Sequence, residues 1–105
     1  MTQGFPRVGH NIQGIGDGVK VVTTAGTAVC LVSASTPAQI AIIQSQTDNI
    51  SGVAVGAAGV DATVATGTGI LLYAGDSITL EVDDLEDIYI DSLVNGDGVR
   101  FIYLT

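Results

Sequence analysis

The sequence has few of the residues that most often build chemical sites. Its 105 residues include one cysteine, one histidine, no tryptophan and only three lysine or arginine residues. A single cysteine forms no intrachain disulfide, and a zinc site cannot be built from thiolates alone. Cys30 lies between two apolar residues and is predicted to be a small buried side chain, because a reactive thiol needs a nearby cation. No cofactor and no metal ion are expected.

Other scarcities exclude classes of partner. No apolar run approaches the roughly 20 residues that a membrane-spanning helix needs, and no secretory apolar region follows Met1. Eleven acidic residues against three basic ones give a formal net charge of −8. Phosphate backbones and anionic lipid headgroups would repel such a chain. We therefore expect neither nucleic acid nor a membrane as its partner.

The residues of a catalytic site are also missing from the pattern. His10 lies in a glycine-rich stretch, which cannot easily fix the imidazole as a Ser-His-Asp triad requires. The segment 14–18 resembles a phosphate-binding loop but lacks the lysine and the preceding strand. The acidic run at 83–87 lacks the turn glycine of an EF-hand and is predicted to be a solvated loop. The chain is therefore not expected to be an enzyme.

Charge is distributed unevenly along the chain. Eight of the acidic residues fall in the last thirty positions, whereas Asp48 and Asp61 are the only charges between Val21 and Gly75. A charge-poor stretch of this length indicates surface hidden by other protein. The alternative is a soluble monomer coated with Thr, Ser, Gln and Gly. Because closed symmetry hides such surface by repeating one interface, we expect a homo-oligomer, specifically a trimer.

The first residues differ in composition from the rest. Residues 1–18 contain five glycines, a proline and no clean period, which predicts an irregular N-terminal arm over 1–17 before a single domain at 18–105. One interpretation is a disordered leader. The other is an arm that orders on a partner, since its spaced apolar residues exceed what disordered tails usually carry. The candidate contacts are Phe5, Arg7, Val8, Ile12 and Ile15.

From residue 18 onward the sequence predicts short strands separated by turns. Period-two alternation and turn residues predict eight strands at 18–24, 27–32, 38–46, 51–56, 70–73, 77–82, 87–91 and 99–104. The segment 57–68 is predicted to be a long loop with a short extra strand at 62–65, and 83–86 a single helical turn. Asn95-Gly96 and Asp97-Gly98 are hairpin signals. The fold class is all-β, an antiparallel β-sandwich that is jelly-roll-like.

Two details bear on which side chains face the core. Val53 and Val55 are predicted to point inward. In the third strand Ile40 and Ile42 share a face, whereas Ile43 falls out of phase. Either a bulge or a strand covered on both faces would explain that shift.

Strand and turn motifs carry a resemblance to a known group of proteins. They lie at 23–33, 39–49, 53–56, 69–80, 85–91 and 96–103. With them the chain from about Lys20 onward resembles small β-rich virion proteins of tailed bacteriophages. The resemblance implies a structural role as a capsid decoration (cement) protein, a head fibre or a tail accessory, and it transfers no catalytic residue. The implied partner is the major capsid protein.

The charge agrees with a position outside the shell. Packaged DNA fills the interior of a capsid, so a chain of net charge −8 is disfavoured there. We expect a protein of the outer capsid surface that stabilises the shell by bridging neighbouring capsid subunits. The alternatives are a tail or head-fibre accessory protein, and a carbohydrate-binding surface module that uses Tyr73, Tyr89 or Tyr103.

Overall fold

The computed structural model describes residues 12–105, which form eight strands and one turn of 3-10 helix. In chain order the elements are β1 (Ile15–Val21), β2 (Val29–Cys30), β3 (Ile40–Ser45), β4 (Val53–Gly56), β5 (Ile70–Leu72), β6 (Ser77–Glu81), the 3-10 turn (Leu85–Asp87), β7 (Tyr89–Ser92) and β8 (Gly98–Leu104). The predicted strand number and all-β class are confirmed. The helical turn lies within two residues of its predicted position.

The strands form two antiparallel four-stranded sheets, in the orders β1-β8-β3-β6 and β2-β7-β4-β5. Pairing is nested: β4 pairs with β5, β3 with β6, β2 with β7 and β1 with β8. A long hairpin rolled across two sheets produces this set of pairs, which is the jelly-roll arrangement. The predicted β-sandwich is therefore confirmed, and the strand order supplies what alternation alone could not.

Rolling the hairpin makes most connections pass from one sheet to the other. Among the described strands, only β4 and β5 are both consecutive and in the same sheet. The hairpin predicted at Asn95-Gly96 and Asp97-Gly98 is therefore wrong, because β7 and β8 belong to different sheets. The turn itself is present, and Gly96 adopts a φ of 95° that favours glycine. Its amide donates to the Val22 carbonyl at 2.9 Å, which fixes the crossing.

Other boundaries differ from the prediction in informative ways. β1 begins at Ile15 rather than at Gly18, so residues 15–17 belong to a strand and not to an irregular arm. The extra strand predicted at 62–65 is wrong, since that segment is a turn within a loop. No neighbouring strand pairs with these residues.

The main core lies between the two sheets. Ala41, Ile43 and Val99 of the first sheet pack against Val53, Val55, Leu72 and Ile90 of the second, and Leu31 and Leu85 close the ends. Val53 and Val55 point inward, as predicted. β3 pairs in unbroken register with β8, so Ile43 requires no bulge. Ile43 faces the core, and Ile40 and Ile42 face outward.

β1 presents small residues to the core. A Cβ placed on Gly16 would lie 2.3 Å from the Tyr103 ring, and one on Gly18 would lie 2.6 Å from the Phe101 ring. No real side chain tolerates such distances. The two aromatic rings of β8 therefore occupy the space beneath β1, and the apolar side chains of β1 point away from the core.

The second sheet has its outer face covered by the chain itself. The connection between β4 and β5, residues 57–69, folds over that face and is called the cover loop below. Its Val60 and Ala62 are buried against Ala54 of β4, and Leu71 and Tyr89 pack around them. This small second core accounts for Ala54, Val60 and Ala62 in the charge-poor sequence between Ile50 and Gly75, whereas most of the cover loop is exposed.

A buried carboxylate attaches the cover loop to the sheet. Asp91 of β7 points to the outer face but is only 1% exposed. One of its oxygens accepts from the Ala62 amide at 2.9 Å, and the other accepts from the Gly26 amide at 3.1 Å. Hydrogen bonds to a charged acceptor are stronger than neutral ones. Asp91 thus holds two separate connections against one strand.

Other acidic residues hold turns in the same way. The Asp97 carboxylate, 4% exposed, accepts from the amides of Ile50 at 3.0 Å and Ser51 at 2.8 Å. Asp84 caps the 3-10 turn by accepting from the Glu86 amide, and it also accepts from the Ser35 hydroxyl and the Thr36 amide. The hydrogen bond from Ser35, followed by those from the two amides, holds the pKa of Asp84 below its ordinary value of 3.8.

Replacing Asp91 by asparagine should destabilise the fold. Asparagine keeps one acceptor oxygen and puts an NH₂ donor in place of the other, so one amide loses its bond to residue 91 and two donors face each other. This should cost about 1–3 kcal/mol, even though the Gly26 amide also donates to the Ser92 carbonyl. Urea unfolding monitored by circular dichroism measures the change in the free energy of unfolding. The matched control is Asp48→Asn at an exposed turn, which should change stability by less than about 0.5 kcal/mol. Equal effects of the two substitutions would contradict the role assigned to Asp91.

The Asp84 cap should make stability depend on pH in the acid range. Because the folded pKa is lowered, the contribution of Asp84 is present above pH 3.8 and is lost as pH falls through the folded value. The difference in unfolding free energy between the wild type and Asp84→Asn should therefore shrink below pH 3.8. NMR titration of the Asp84 carboxyl carbon provides a direct check, and in Ser35→Ala its pKa should rise. A pKa unaffected by that substitution would count against the Ser35 hydrogen bond as the main cause.

Candidate functional site

The outer face of the β1-β8-β3-β6 sheet is apolar and uncovered by the residues that the structure describes. Strand register arranges its side chains in three rows. The rows are Ile15–Leu104–Ile40–Glu81, Asp17–Ile102–Ile42–Thr79 and Val19–Arg100–Gln44–Ser77. Five neighbouring aliphatic side chains thus occupy one end and the centre, and Val19 adds a sixth at the more polar end. This surface is called the open face below.

Exposure on the open face is high for aliphatic side chains. Ile15 is 67% exposed and Val19 is 60% exposed, and Ile42 is also exposed. Ile102, Leu104 and Ile40 are half-buried by their neighbours in the sheet. Contiguous exposed apolar surface of this kind marks sites of contact with other protein. Isolated exposed leucines or valines would carry no such meaning.

The open face is also concave. A depression of about 680 Å³ lies between β1 and β3, and its outward-facing lining includes Asp17, Val19, Ile42, Arg100 and Ile102. Asp17 and Arg100 stand diagonally across the pair of β1 and β8, because Asp17 is opposite Ile102 and Val19 is opposite Arg100. The depression therefore combines an apolar floor with one carboxylate and one guanidinium at its side.

The two sheets differ in whether described residues of the chain cover their outer faces. On the second sheet the cover loop buries Ala54, Val60 and Ala62 within the same chain. On the first sheet no described residue lies over the six aliphatic side chains. Since both sheets present apolar residues outward, the difference makes the open face the candidate contact surface among the described residues.

The predicted contact residues of the N-terminal arm are only partly described. Phe5, Arg7 and Val8 lie outside the described residues, so their assignment stays a prediction. Ile12 is half-buried beside the C-terminal Thr105, whose carbonyl accepts from the Gln13 and Gly14 amides. Ile15 is on the open face, in the row of Leu104 and Ile40. The structure thus joins one predicted contact residue to a surface that the sequence did not single out.

A clue to the open face was present in the sequence. In β3 the segment from Ile40 to Ile43 is apolar at both parities, and in β8 Ile102 and Leu104 fall between the core residues Phe101 and Tyr103. Apolar residues at both parities predict strands covered on both sides. The phase shift at Ile43 was that signal: the unbroken register excludes a bulge, and cover on the outer face of β3 is not found among the described residues.

The tyrosines proposed for sugar binding lie apart. Tyr103 is half-buried over Gly16 on the core side of β8, and Tyr89 packs with Leu71 under the cover loop. Tyr73 is 54% exposed beside the turn between β5 and β6. Among the described residues, the three rings therefore form no shared stacking surface for a sugar. Only Tyr73 offers an open ring.

The remaining candidate residues have structural surroundings. Cys30, predicted to be buried, is only half-buried because β2 is short and lies at a sheet edge, and its Sγ is 3.3 Å from the Glu86 carbonyl oxygen. Within residues 12–105, no cluster of three or more His, Cys, Asp or Glu side chains is arranged to hold a metal ion. The helical content of the same residues includes nothing long and apolar enough to cross a bilayer.

Comparison with known proteins adds no relative to these observations. Searches against protein-family models, curated proteins and solved structures gave no significant match.

Proposed function

We propose that this protein is a structural, non-catalytic component of the outer surface of a tailed-phage capsid, where it decorates and stabilises the shell. The observation that carries this proposal is the open face, with its six neighbouring aliphatic side chains exposed or half-exposed on a rigid sheet. Such a surface suits a protein that works by being packed against other protein. The motif resemblance from Lys20 onward supplies the virion setting.

The fold supports a structural role through its rigidity. Both sheets are antiparallel, and buried carboxylates of Asp91 and Asp97 hold the crossing connections in place. A body of this kind changes little on docking, so it loses little conformational freedom when it binds. Its net charge of −8 favours the outside of a DNA-filled shell over the inside.

Attachment to the major capsid protein is assigned to the N-terminal segment. Phe5, Val8 and Ile12 would bury apolar surface on the capsid, and Arg7 would pair with a capsid carboxylate. Ile15 connects this segment to the open face through β1. Many copies on one shell would add avidity to a contact that is weak for a single copy.

The prediction of a homo-oligomer needs a different basis from the one the sequence offered. Part of the charge-poor stretch from Ile50 to Gly75 is hidden by the cover loop, which buries Val60 and Ala62 within the chain. The open face is an apolar surface that the described residues leave free for contact between copies. A face-to-face contact gives a two-fold pair, so a trimer at three-fold positions of an icosahedral shell would need a different interface and stays a prediction.

Two other roles remain as alternatives. A tail or head-fibre accessory protein would use the same open face and the same arm, so only its position on the particle would differ. A carbohydrate-binding module would depend on Tyr73, because Tyr89 and Tyr103 are partly covered by the fold. Glycan binding that is lost in Tyr73→Ala would favour the module.

The test of the proposed function uses phage particles that lack the protein. After heating, particles without it should release their DNA at a lower temperature than complete particles, as measured with a DNA-binding dye. Adding the purified protein should restore the original temperature. A variant that lacks residues 2–11 keeps β1 and should fold, as checked by circular dichroism, but should not restore it. The matched control is Ile70→Thr, on the other sheet, which should restore it fully.

Two results would refute the proposal. One is absence of the protein from purified particles. The other is equal thermal stability of particles with and without it.

A further inference from the structure

We infer that the open face binds the open face of a second copy of this chain, in a two-fold pair in which Asp17 of each copy lies opposite Arg100 of the other. The proposed virion role is not a premise of this inference. Its basis is the pattern of side chains that strand register places on the sheet.

The open face has an apolar centre formed by Ile102 and Ile42, which are opposite each other on β8 and β3. Packing of two sheets face to face covers such residues at a spacing of about 10 Å. The core of this protein is itself made in that way, from Ile43 on one sheet and Ile90 on the other. A second copy therefore offers an apolar centre that can be packed in the same way.

Two side chains of opposite charge, Asp17 and Arg100, are exposed and flank the apolar centre on adjacent strands. A two-fold axis that lies in the interface and passes between them exchanges their positions. Each Asp17 then meets the other copy's Arg100, so one contact forms twice, as an isologous interface requires. Ile102 and Ile42 lie close to that axis and meet their own equivalents.

The area of the interface limits how tightly two copies bind. Four strands about 4.8 Å apart, with same-face residues about 6.8 Å apart, give a face of roughly 20 by 20 Å, or roughly 800 Å² for the pair. Stable interfaces usually bury more than about 1,200 Å². The pair should therefore be reversible and dependent on concentration. On a surface where many copies are held close together, the same contact would be occupied far more fully.

The experiment uses charge reversal, with sedimentation velocity over a concentration series. The wild type should shift from monomer to dimer with rising concentration. Asp17→Arg alone and Arg100→Asp alone should each weaken the dimer about tenfold or more, because like charges then face each other. An equimolar mixture of the two variants should form a mixed dimer, since every facing pair in it has opposite charge. Circular dichroism checks that each variant is folded.

A second pair of variants tests the apolar centre independently of charge. Ile102→Thr should weaken the dimer, because it removes apolar surface near the axis while keeping a β-branched residue in β8. Ile70→Thr is the control at an exposed strand position of the other sheet, and it should leave the dimer unchanged.

Three outcomes would overturn the inference. They are a wild type that stays monomeric at all concentrations, an oligomer unaffected by Ile102→Thr, and reversal variants whose mixture pairs no better than either alone. The last result would mean that the occupant of the open face is a different protein or the chain's own N-terminal segment. Failure of pairing would leave the proposed virion role to be decided by the particle experiment.

Discussion

Hydrogen bonds from backbone amides to aspartate carboxylates hold this fold together at its connections. In a rolled hairpin most connections cross between sheets, so strand pairing does not fix them. Asp97 holds the residues before β4, Asp91 holds the connection between β1 and β2 as well as the cover loop, and Asp84 holds the 3-10 turn. Each carboxylate accepts from at least two amides, which offsets the cost of removing it from water. The acidity of the chain therefore has a structural use, because carboxylates that accept from amides need no lysine or arginine as partner.

The two sheets show two solutions to one problem. A four-stranded sheet in a sandwich has one face on the core and one toward solvent, and here both outer faces carry apolar residues. The second sheet is covered by the cover loop, the thirteen residues 57–69 between β4 and β5, which among the described strands are the only consecutive pair in one sheet. The first sheet has no comparable insertion, because its strands are joined through the other sheet. Among the described residues, nothing covers its outer face.

The sequence predicts local structure well and long-range order poorly. Alternation and turn residues located all eight strands, as in β6, where Ile78 and Leu80 face the core. Strand order depends on pairs far apart in the chain, such as Ile15 with Leu104, and no local pattern encodes them. The hairpin expected at Asn95-Gly96 failed for this reason, since a glycine that permits a turn does not say which sheet the next strand joins.

Only part of the candidate site could be predicted from the sequence. Apolar residues at both parities in β3 indicated a strand covered on two sides. The sequence could not show that β8 and β1 would place Ile102, Val19 and Ile15 beside Ile42. Nothing in the sequence indicated that Asp91 attaches the cover loop to the sheet. A carboxylate in an acidic segment resembles its exposed neighbours until the loop that covers it is known.

The glycines of β1 give this edge strand an unusual dependence. Gly16 and Gly18 add no side chain to the core, so β1 is held mainly by its backbone pairing with β8 and by contact with the Phe101 and Tyr103 rings. The apolar side chains that β1 does carry, Ile15 and Val19, gain nothing from the interior. Any molecule that covers them therefore adds directly to the stability of β1. Binding at the open face and the stability of β1, the strand that leads to the N-terminal segment, are therefore thermodynamically linked. A change in one should be accompanied by a change in the other.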